Sequence, residues 1–332
     1  MWRLITLMSS LCAFFFLNSS VAMAAEEPTR EQILEMRMDY YIKYSSLTLP
    51  WYYLAAVDQY ERNIQQVRND IPERDGIVAI QFSDNYWTGI LNPQKDDIDM
   101  TSIVLFEGNG ADGNKDGYAD RKNDDDVMYT MSEHLSEYGP SEKDFKRALK
   151  DYYHKDETVR QILTIAKIYE EFETINLDKN AFPLALQYNY SYRSTWGDRR
   201  GWGGRRMHEG TDLFASHGVP VKSTTYGMVE TMGWNDYGGW RIGIRDMHNN
   251  YHYYAHLANY NKGIKEGDIL EPGTIIGYVG STGYGKKWTS GKFPPHLHYG
   301  IYKFNGRIEW AYDPFPSLKR WEQEERKAKK RK

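Results

Sequence analysis

His208-Glu209-Gly210-Thr211-Asp212 and Pro294-Pro295-His296-Leu297-His298-Tyr299 bracket the part of the chain on which the fold turns. Seven of the nine histidines lie between them or within them: His208, His217, His248, His252, His256, His296 and His298. Along an extended strand alternate side chains share a face, so His296 and His298 point the same way, and so do His208 and Asp212. Two neutral imidazoles and one carboxylate, with a fourth position left open, make a catalytic zinc set. His134, His154, His217 and His248 read as isolated surface or core histidines. His252 precedes His256 by four residues on the same expected strand face, and either lines the cleft or flanks it.

Working outward from this window, Gly and aromatic residues increase from Tyr188 onward. Helical periodicity gives way to short alternating runs such as Trp240–Ile244, Tyr251–Ala255 and Thr274–Val279, the pattern of antiparallel strands. Gly280, Gly283 and Gly285 are expected in a loop with positive φ that lets backbone approach a substrate. The stretch from Trp196 to Gly204 is expected to form a loop over the cleft, and Tyr237–Trp240 a second wall.

Upstream, the apolar spacing predicts helices over Pro28–Tyr44, Ser141–Leu149 and Thr158–Phe172, and another starting at Pro50-Trp51 and running to Glu61. Asp112-Gly113-Asn114-Lys115-Asp116-Gly117-Tyr118-Ala119-Asp120 has the ligand order of a calcium loop, with Asp112, Asn114, Asp116 and Asp120 as oxygen donors and Gly117 at the sharp turn. Asn123 stands where a bidentate Glu would complete such a loop. The alternative is a turn that caps the next helix, which Asp124–Asp126 would suit.

A chain of 332 residues exceeds one comfortable core. The expected division is an export signal at 1–24, a helical domain at 25–175, a linker at 176–187, a β domain at 188–317 and a charged basic tail at 318–332, whose end Arg326–Lys332 reads as solvated, with contact to an anionic polymer as the alternative. Met1–Ala24 has one charge, Arg3, an apolar run and a small-x-small end at Ala22-Met23-Ala24, so it reads as a cleaved signal with no membrane-spanning segment left behind; the alternative is an uncleaved membrane anchor, against which the run is short and interrupted by Ser9 and Ser10. The single cysteine, Cys12, would leave with it. An exported chain without disulfides must be held by packing, and ions where it binds them. Removing Arg3 takes the formal charge from −4 to −5, which does not point to a nucleic-acid partner.

Two stretches resemble known families. His208-x-Gly210-x-Asp212, Gly218-x-Pro220-Val221, Gly227-x-Val229, Tyr254-Ala255-His256-Leu257, Gly267-Asp268, Gly277-x-x-Gly280-x-Thr282-Gly283 and Pro295-His296-Leu297-His298 are similar, in order and spacing, to the zinc endopeptidases of the lysostaphin and LytM type, across roughly residues 190–315. The resemblance implies His208, Asp212 and His298 as zinc ligands, with His256 and His296 as the two further active-site histidines. Zinc held in this way leaves one position for water and lowers its pKa to about 7. His256 would then take the water's proton and His296 would hydrogen-bond the developing oxyanion, or the two would exchange roles.

Pro50–Glu61, Ile80-Gln81-Phe82 with Trp87, Asp112–Asp120, and Ala148-Leu149 with Tyr152 resemble, in order, the lysozyme-like lytic transglycosylases. That resemblance implies Glu61 as a general acid on a glycan strand. Arg62 beside it is expected to favour the ionised carboxylate and oppose that work. A domain kept for folding or for glycan binding is the alternative. Together the two resemblances imply a multidomain α and β protein, an all-α lysozyme-like domain followed by an antiparallel β-sheet domain. Its partner would be bacterial peptidoglycan, both stem peptides and glycan strands, met outside the cell during wall or spore-cortex remodelling.

Overall fold

Among the residues described by the computed structural model, 28–202 and 204–331, the chain begins with seven helices. The expected signal Met1–Ala24 lies outside the described residues. Helix α1 (Arg30–Tyr44) opens with a capping box between Thr29 and Gln32. Helix α2 (Trp51–Gln65) starts after Pro50, whose fixed φ suits that position, and is buried along most of its length. Then follow α3 (Asp84–Thr88), α4 (Met100–Leu105), α5 (Asp124–Glu137), α6 (Glu142–Tyr153) and α7 (Asp156–Phe172). No helix among the described residues is long and apolar enough to cross a membrane.

The centre of this helical region is partly ionic. Arg37 of α1 sits 3.1 Å from Asp58 of α2 and donates to Gln59 at 3.0 Å, while Tyr41 donates its hydroxyl proton to Asp58. Arg62, expected to hold Glu61 ionised, instead faces Asp58 at 3.5 Å and donates to the Ile77 carbonyl at 2.7 Å. Successive helical residues point about 100° apart, so sequence neighbours do not become partners. Freed of Arg62, the Glu61 carboxyl accepts from the Tyr153 hydroxyl at 2.6 Å, and burial pushes it up to about 7.

The Asp112–Asp120 loop closes through its own hydrogen bonds. Asp112 accepts from the Lys115, Asp116 and Gly117 amides at 2.6, 3.1 and 2.8 Å, and Gly117 takes the expected positive φ of 96°. Asn123 caps α5 by accepting from Asp125. This is the capping turn weighed above, and no metal-like grouping of three acidic or histidine side chains forms in it among the described residues.

Twelve strands follow among the described residues: β1 (Tyr190–Tyr192), β2 (Arg199–Arg200), β3 (Arg206–Met207), β4 (Thr211–Ala215), β5 (Pro220–Lys222), β6 (Gly227–Asn235), β7 (Gly239–Arg245), β8 (Asn250–Tyr260), β9 (Ile269–Leu270), β10 (Ile275–Val279), β11 (His296–Phe304) and β12 (Glu309–Tyr312). All pairings are antiparallel, in the order β1-β4-β11-β8-β7-β6-β9, with β10 joining β5 to β8, β12 on the far half of β11, and β2-β3 a separate hairpin. Alternation divides the sheet. Leu213, Ile242, Ile244, Tyr254, Leu297, Tyr299 and Ile301 form the buried core, while Asp212, Arg241, Tyr251, Tyr253, His298 and Tyr302 line a cleft on the other face.

Two expected loose segments are packed. Phe182 and Leu184, in the stretch read as a linker, are fully buried in the sheet core, and Lys222 donates its amide to the Pro183 carbonyl at 2.8 Å. The stretch read as a charged basic tail forms α8 (Phe315–Arg331), whose Leu318 and Trp321 enter that core. On the same helix Glu322 accepts from the hydroxyls of Tyr190 at 2.7 Å and Tyr192 at 2.5 Å. The basic end masked an apolar pair at helical spacing.

Candidate metal centre and its cleft

Strand β11 carries His298 directly opposite Asp212 on β4, so one pair in the ladder sets two of the three candidate ligands. His208 comes from the turn before β4. The three donor atoms converge: His208 Nε2 lies 2.8 Å from His298 Nδ1, and each lies 3.1 Å from Asp212 Oδ1. His208 and Asp212 are buried and His298 nearly so. Among the described residues this is the grouping of histidine and acidic side chains with the compactness of a metal site.

Local backbone holds the set. Gly210 lies so close to β11 that a side chain there would come within 2.5 Å of the His298 ring and 2.7 Å of the Tyr299 carbonyl. Its place between His208 and Asp212 is a packing requirement, met without a positive φ. His208 donates from Nδ1 to the Thr195 carbonyl at 2.7 Å, which leaves the Nε2 lone pair facing inward. Burial would raise the Asp212 carboxyl, but the His208 and His298 rings against it hold it well below the usual carboxylate range. Arg200 of β2 pairs with its other oxygen.

His256 reaches the same cleft by breaking the strand's alternation. Between the pairs Ile242–Tyr254 and Trp240–Leu257, β7 advances two residues while β8 advances three. The extra residue makes a bulge, and His256 takes a φ of 61°. Its ring comes 4.8 Å from the ring of His296 and 4.6 Å from that of Phe293. His256 donates from Nδ1 to the Thr282 carbonyl at 2.7 Å, and His296 from Nδ1 to the Pro294 carbonyl at 2.8 Å, so both present Nε2 to the cleft. Burial lowers both, His256 well below the usual histidine range so that it is neutral near pH 7, while Asp212 beside His296 opposes the shift there. His296 Nε2 lies 3.7 Å from Asp212 Oδ1, a neighbour that favours its proton.

His252 lies on the core face, where it hydrogen-bonds the Tyr299 hydroxyl at 2.7 Å and Asp246 at 2.9 Å. It is a core histidine, as is His134, bonded to the Ala148 carbonyl at 3.0 Å, whereas His154 and His217 are exposed and His248 is half-buried outside the cleft. Glu61 and the Asp112–Asp120 loop belong to the helical region and do not enter the cleft.

The cleft itself has a volume of about 600 Å³. Trp202, in the loop expected over it, stacks on Tyr284 at 4.9 Å and meets Tyr237 edge-on at 5.0 Å, so the two expected walls touch. Of the three glycines expected at positive φ only Gly283 has it; Tyr284 has a φ of 55° instead. Sequence reasoning missed Arg200, Arg206, Arg241, Tyr253 and Glu309, all of which line the cleft. Their signal was strand parity alone, Arg241 and Tyr253 falling on the same face as His298.

Residues 206–310 match the family model described as Peptidase family M23. The chain is 52 % identical over 308 residues to the L-Ala–D-Glu endopeptidase of Bacillus subtilis (strain 168), a match covering 92 % of this chain and 94 % of that enzyme. Lysostaphin of Staphylococcus simulans is 38 % identical over 117 residues, 34 % of this chain and 22 % of lysostaphin. The crystallised catalytic domain of lysostaphin from the same organism is 35 % identical, with 40 % of this chain and 92 % of that one covered at a TM-score of 0.32.

Proposed function

The chain belongs to peptidase family M23, and from that premise we propose that its cleft hydrolyses the L-Ala–D-Glu bond of bacterial peptidoglycan stem peptides with one zinc ion held by His208, Asp212 and His298. The observation that carries the choice of bond is identity running almost the full length of the Bacillus subtilis enzyme. The donor set fits the ion. Two imidazole nitrogens and a carboxylate oxygen stand 2.8–3.1 Å apart, near the roughly 3.3 Å that tetrahedral ligands at 2.0–2.1 Å would span.

When bound, the ion supplies Lewis-acid polarisation and brings the pKa of water toward about 7. The protein supplies the rest. Neutral His256 accepts a proton at Nε2 from the attacking water, whose oxygen bonds to the alanine carbonyl carbon. His296, the histidine nearer Asp212, donates from Nε2 to the developing oxyanion in its protonated form, which the Asp212 carboxylate favours. As the C–N bond breaks, His256 returns its proton to the leaving amine. The aromatic walls at Trp202, Tyr284 and Phe293 exclude bulk water and hold the peptide.

We infer that the enzyme works outside the cytoplasm, in wall or spore-cortex remodelling, after export by Met1–Ala24. The helical region reads as lysozyme-like and as the part that holds the glycan strand. Glycan cleavage through Glu61 has one observation on its side, a carboxyl pushed up to about 7 by burial. Neither reading uses an ion at Asp112, Asn114, Asp116 and Asp120.

Incubation of the mature chain with purified sacculi, with and without a zinc chelator, tests the main reading. The expected products are fragments with new D-Glu amino ends and new L-Ala carboxyl ends, lost on chelation. Chelator-insensitive release, or anhydro-sugar ends in place of peptide termini, would overturn it.

A further inference from the structure

Two arginines of the cleft lack an acidic partner among the described residues. Arg200 pairs with Asp212, and Arg245 with Glu230 and Glu309. Arg206 and Arg241 have no such pair, and the Nε of each is enclosed with no hydrogen-bond acceptor. Both line the cleft. A guanidinium that lines a cleft without an acidic partner keeps its outer nitrogens for an acidic group that enters the cleft.

Their position relative to the metal ligands follows from the sheet. Arg241 lies on the cleft face of β7, two residues from Gly243, which pairs with Tyr253 of β8. Arg206 lies on β3, two residues before His208, with its guanidinium 5.0 Å from the Tyr237 ring. The Tyr253 ring stands 5.9 Å from that of His298, and both guanidiniums favour the ionised form of its hydroxyl although burial pushes it up. Tyr253 thus joins the ligand end of the cleft to a cationic end. Of the acidic residues in the cleft, Asp212 is a ligand, Glu309 is held by Arg245 at 2.8 Å, and Glu209 is exposed.

Resting on the substrate reading above, the chemistry of the scissile bond supplies an acceptor. A glutamate on the amine side of that bond has two carboxyl groups, and whichever one continues the chain leaves the other free. We propose that Arg206 and Arg241, beside Tyr253, form a subsite for this free carboxylate and make the enzyme selective for an acidic residue after the scissile bond. The planar guanidinium matches a carboxylate in a two-pronged hydrogen bond, which lysine would not reproduce.

The test compares two peptides cut by the zinc-loaded full chain, one with L-Ala–D-Glu and one in which the free carboxylate is a primary amide of nearly the same shape. The expected result is a kcat/KM higher for the acid, on the order of 10- to 100-fold. Arg241→Gln and Arg206→Gln are expected to collapse that ratio toward one. They are also expected to weaken calorimetric binding of the D-Glu-terminated product, a readout independent of turnover. Equal kcat/KM on acid and amide, with cleavage at that bond intact, would overturn the subsite and leave the endopeptidase reading standing. If neither peptide is cut while sacculi are opened at another bond, the substrate reading falls and the subsite with it. Should an arginine variant fail to fold, the acid-to-amide comparison on the unaltered enzyme still decides.

Discussion

His252 and His256 stand four residues apart on one strand and face opposite sides of the sheet. His252 bonds Tyr299 and Asp246 in the core, and His256 turns into the cleft beside His296. The bulge between them separates a core histidine from the cleft histidine proposed as the general base. His256→Ala is expected to keep the fold and lower kcat/KM by about 10²- to 10⁴-fold, the range for a lost general base. His252→Ala is expected to do the reverse, leaving Asp246 short of a buried partner and lowering the midpoint of thermal unfolding. Activity and melting curves on both variants separate the two roles.

Gly210→Ala places a methyl group 2.5 Å from the His298 ring, which must move out of the ligand set. The expected outcome is a folded protein that has lost most of its zinc, read by metal analysis after dialysis and by circular dichroism. Full zinc occupancy would show that β11 yields enough to accept the side chain.

Asp58 is fully buried and receives Arg37, Tyr41 and the Ala79 amide. Removing the carboxylate leaves Arg37 charged and unpaired inside the helical core. Asp58→Ala is therefore expected to cost about 3–5 kcal/mol in urea unfolding.

Glu61 yields a pH dependence of stability. Its carboxyl is raised in the folded chain from 4.5 to about 7, so the folded state holds the proton more tightly than the unfolded one. The stabilisation is fully present below about pH 4.5 and is lost as pH rises through 7, by on the order of 2 kcal/mol. Glu61→Gln, always neutral, is expected to flatten this slope in melts between pH 4.5 and 8. An unchanged slope would assign it to other groups.

Much of the molecule was legible because side-chain identity carried it. The apolar spacing of Val159, Ile162 and Ala166 reads as a helix stripe, and the resemblance picks out His208, Asp212 and His298 as candidate ligands, which the fold brings together. What stayed hidden depends on backbone or on distant partners. A positive φ at His256, which a glycine would have announced, leaves no mark when a histidine holds it. The carbonyls of Thr195, Thr282 and Pro294 orient three histidines, and any residue type supplies a carbonyl. Arg62 looked like a neighbour of Glu61 and turned out to serve Asp58. The helix α8 was concealed by its charge, since Leu318 and Trp321 are few among many basic residues.

Arg160 of α7 lies 3.0 Å from Glu230 on β6, Glu230 lies 2.7 Å from Arg245, and Arg245 holds Glu309 at the wall of the cleft at 2.8 Å. Alongside this row, Asn63 of α2 donates to the Met247 carbonyl at 2.8 Å, and Phe172 packs on Tyr226. Four alternating charges therefore form an electrostatic spine from the helices to the wall of the cleft. The peptidase half is for this reason a poor cassette for grafting. Cut free at residue 188, it would carry a bare apolar seam at Tyr226 and Met247 and a Glu230 short of one counter-ion, with its effect felt at Glu309. The helices are a buttress for the cleft, whatever else they bind.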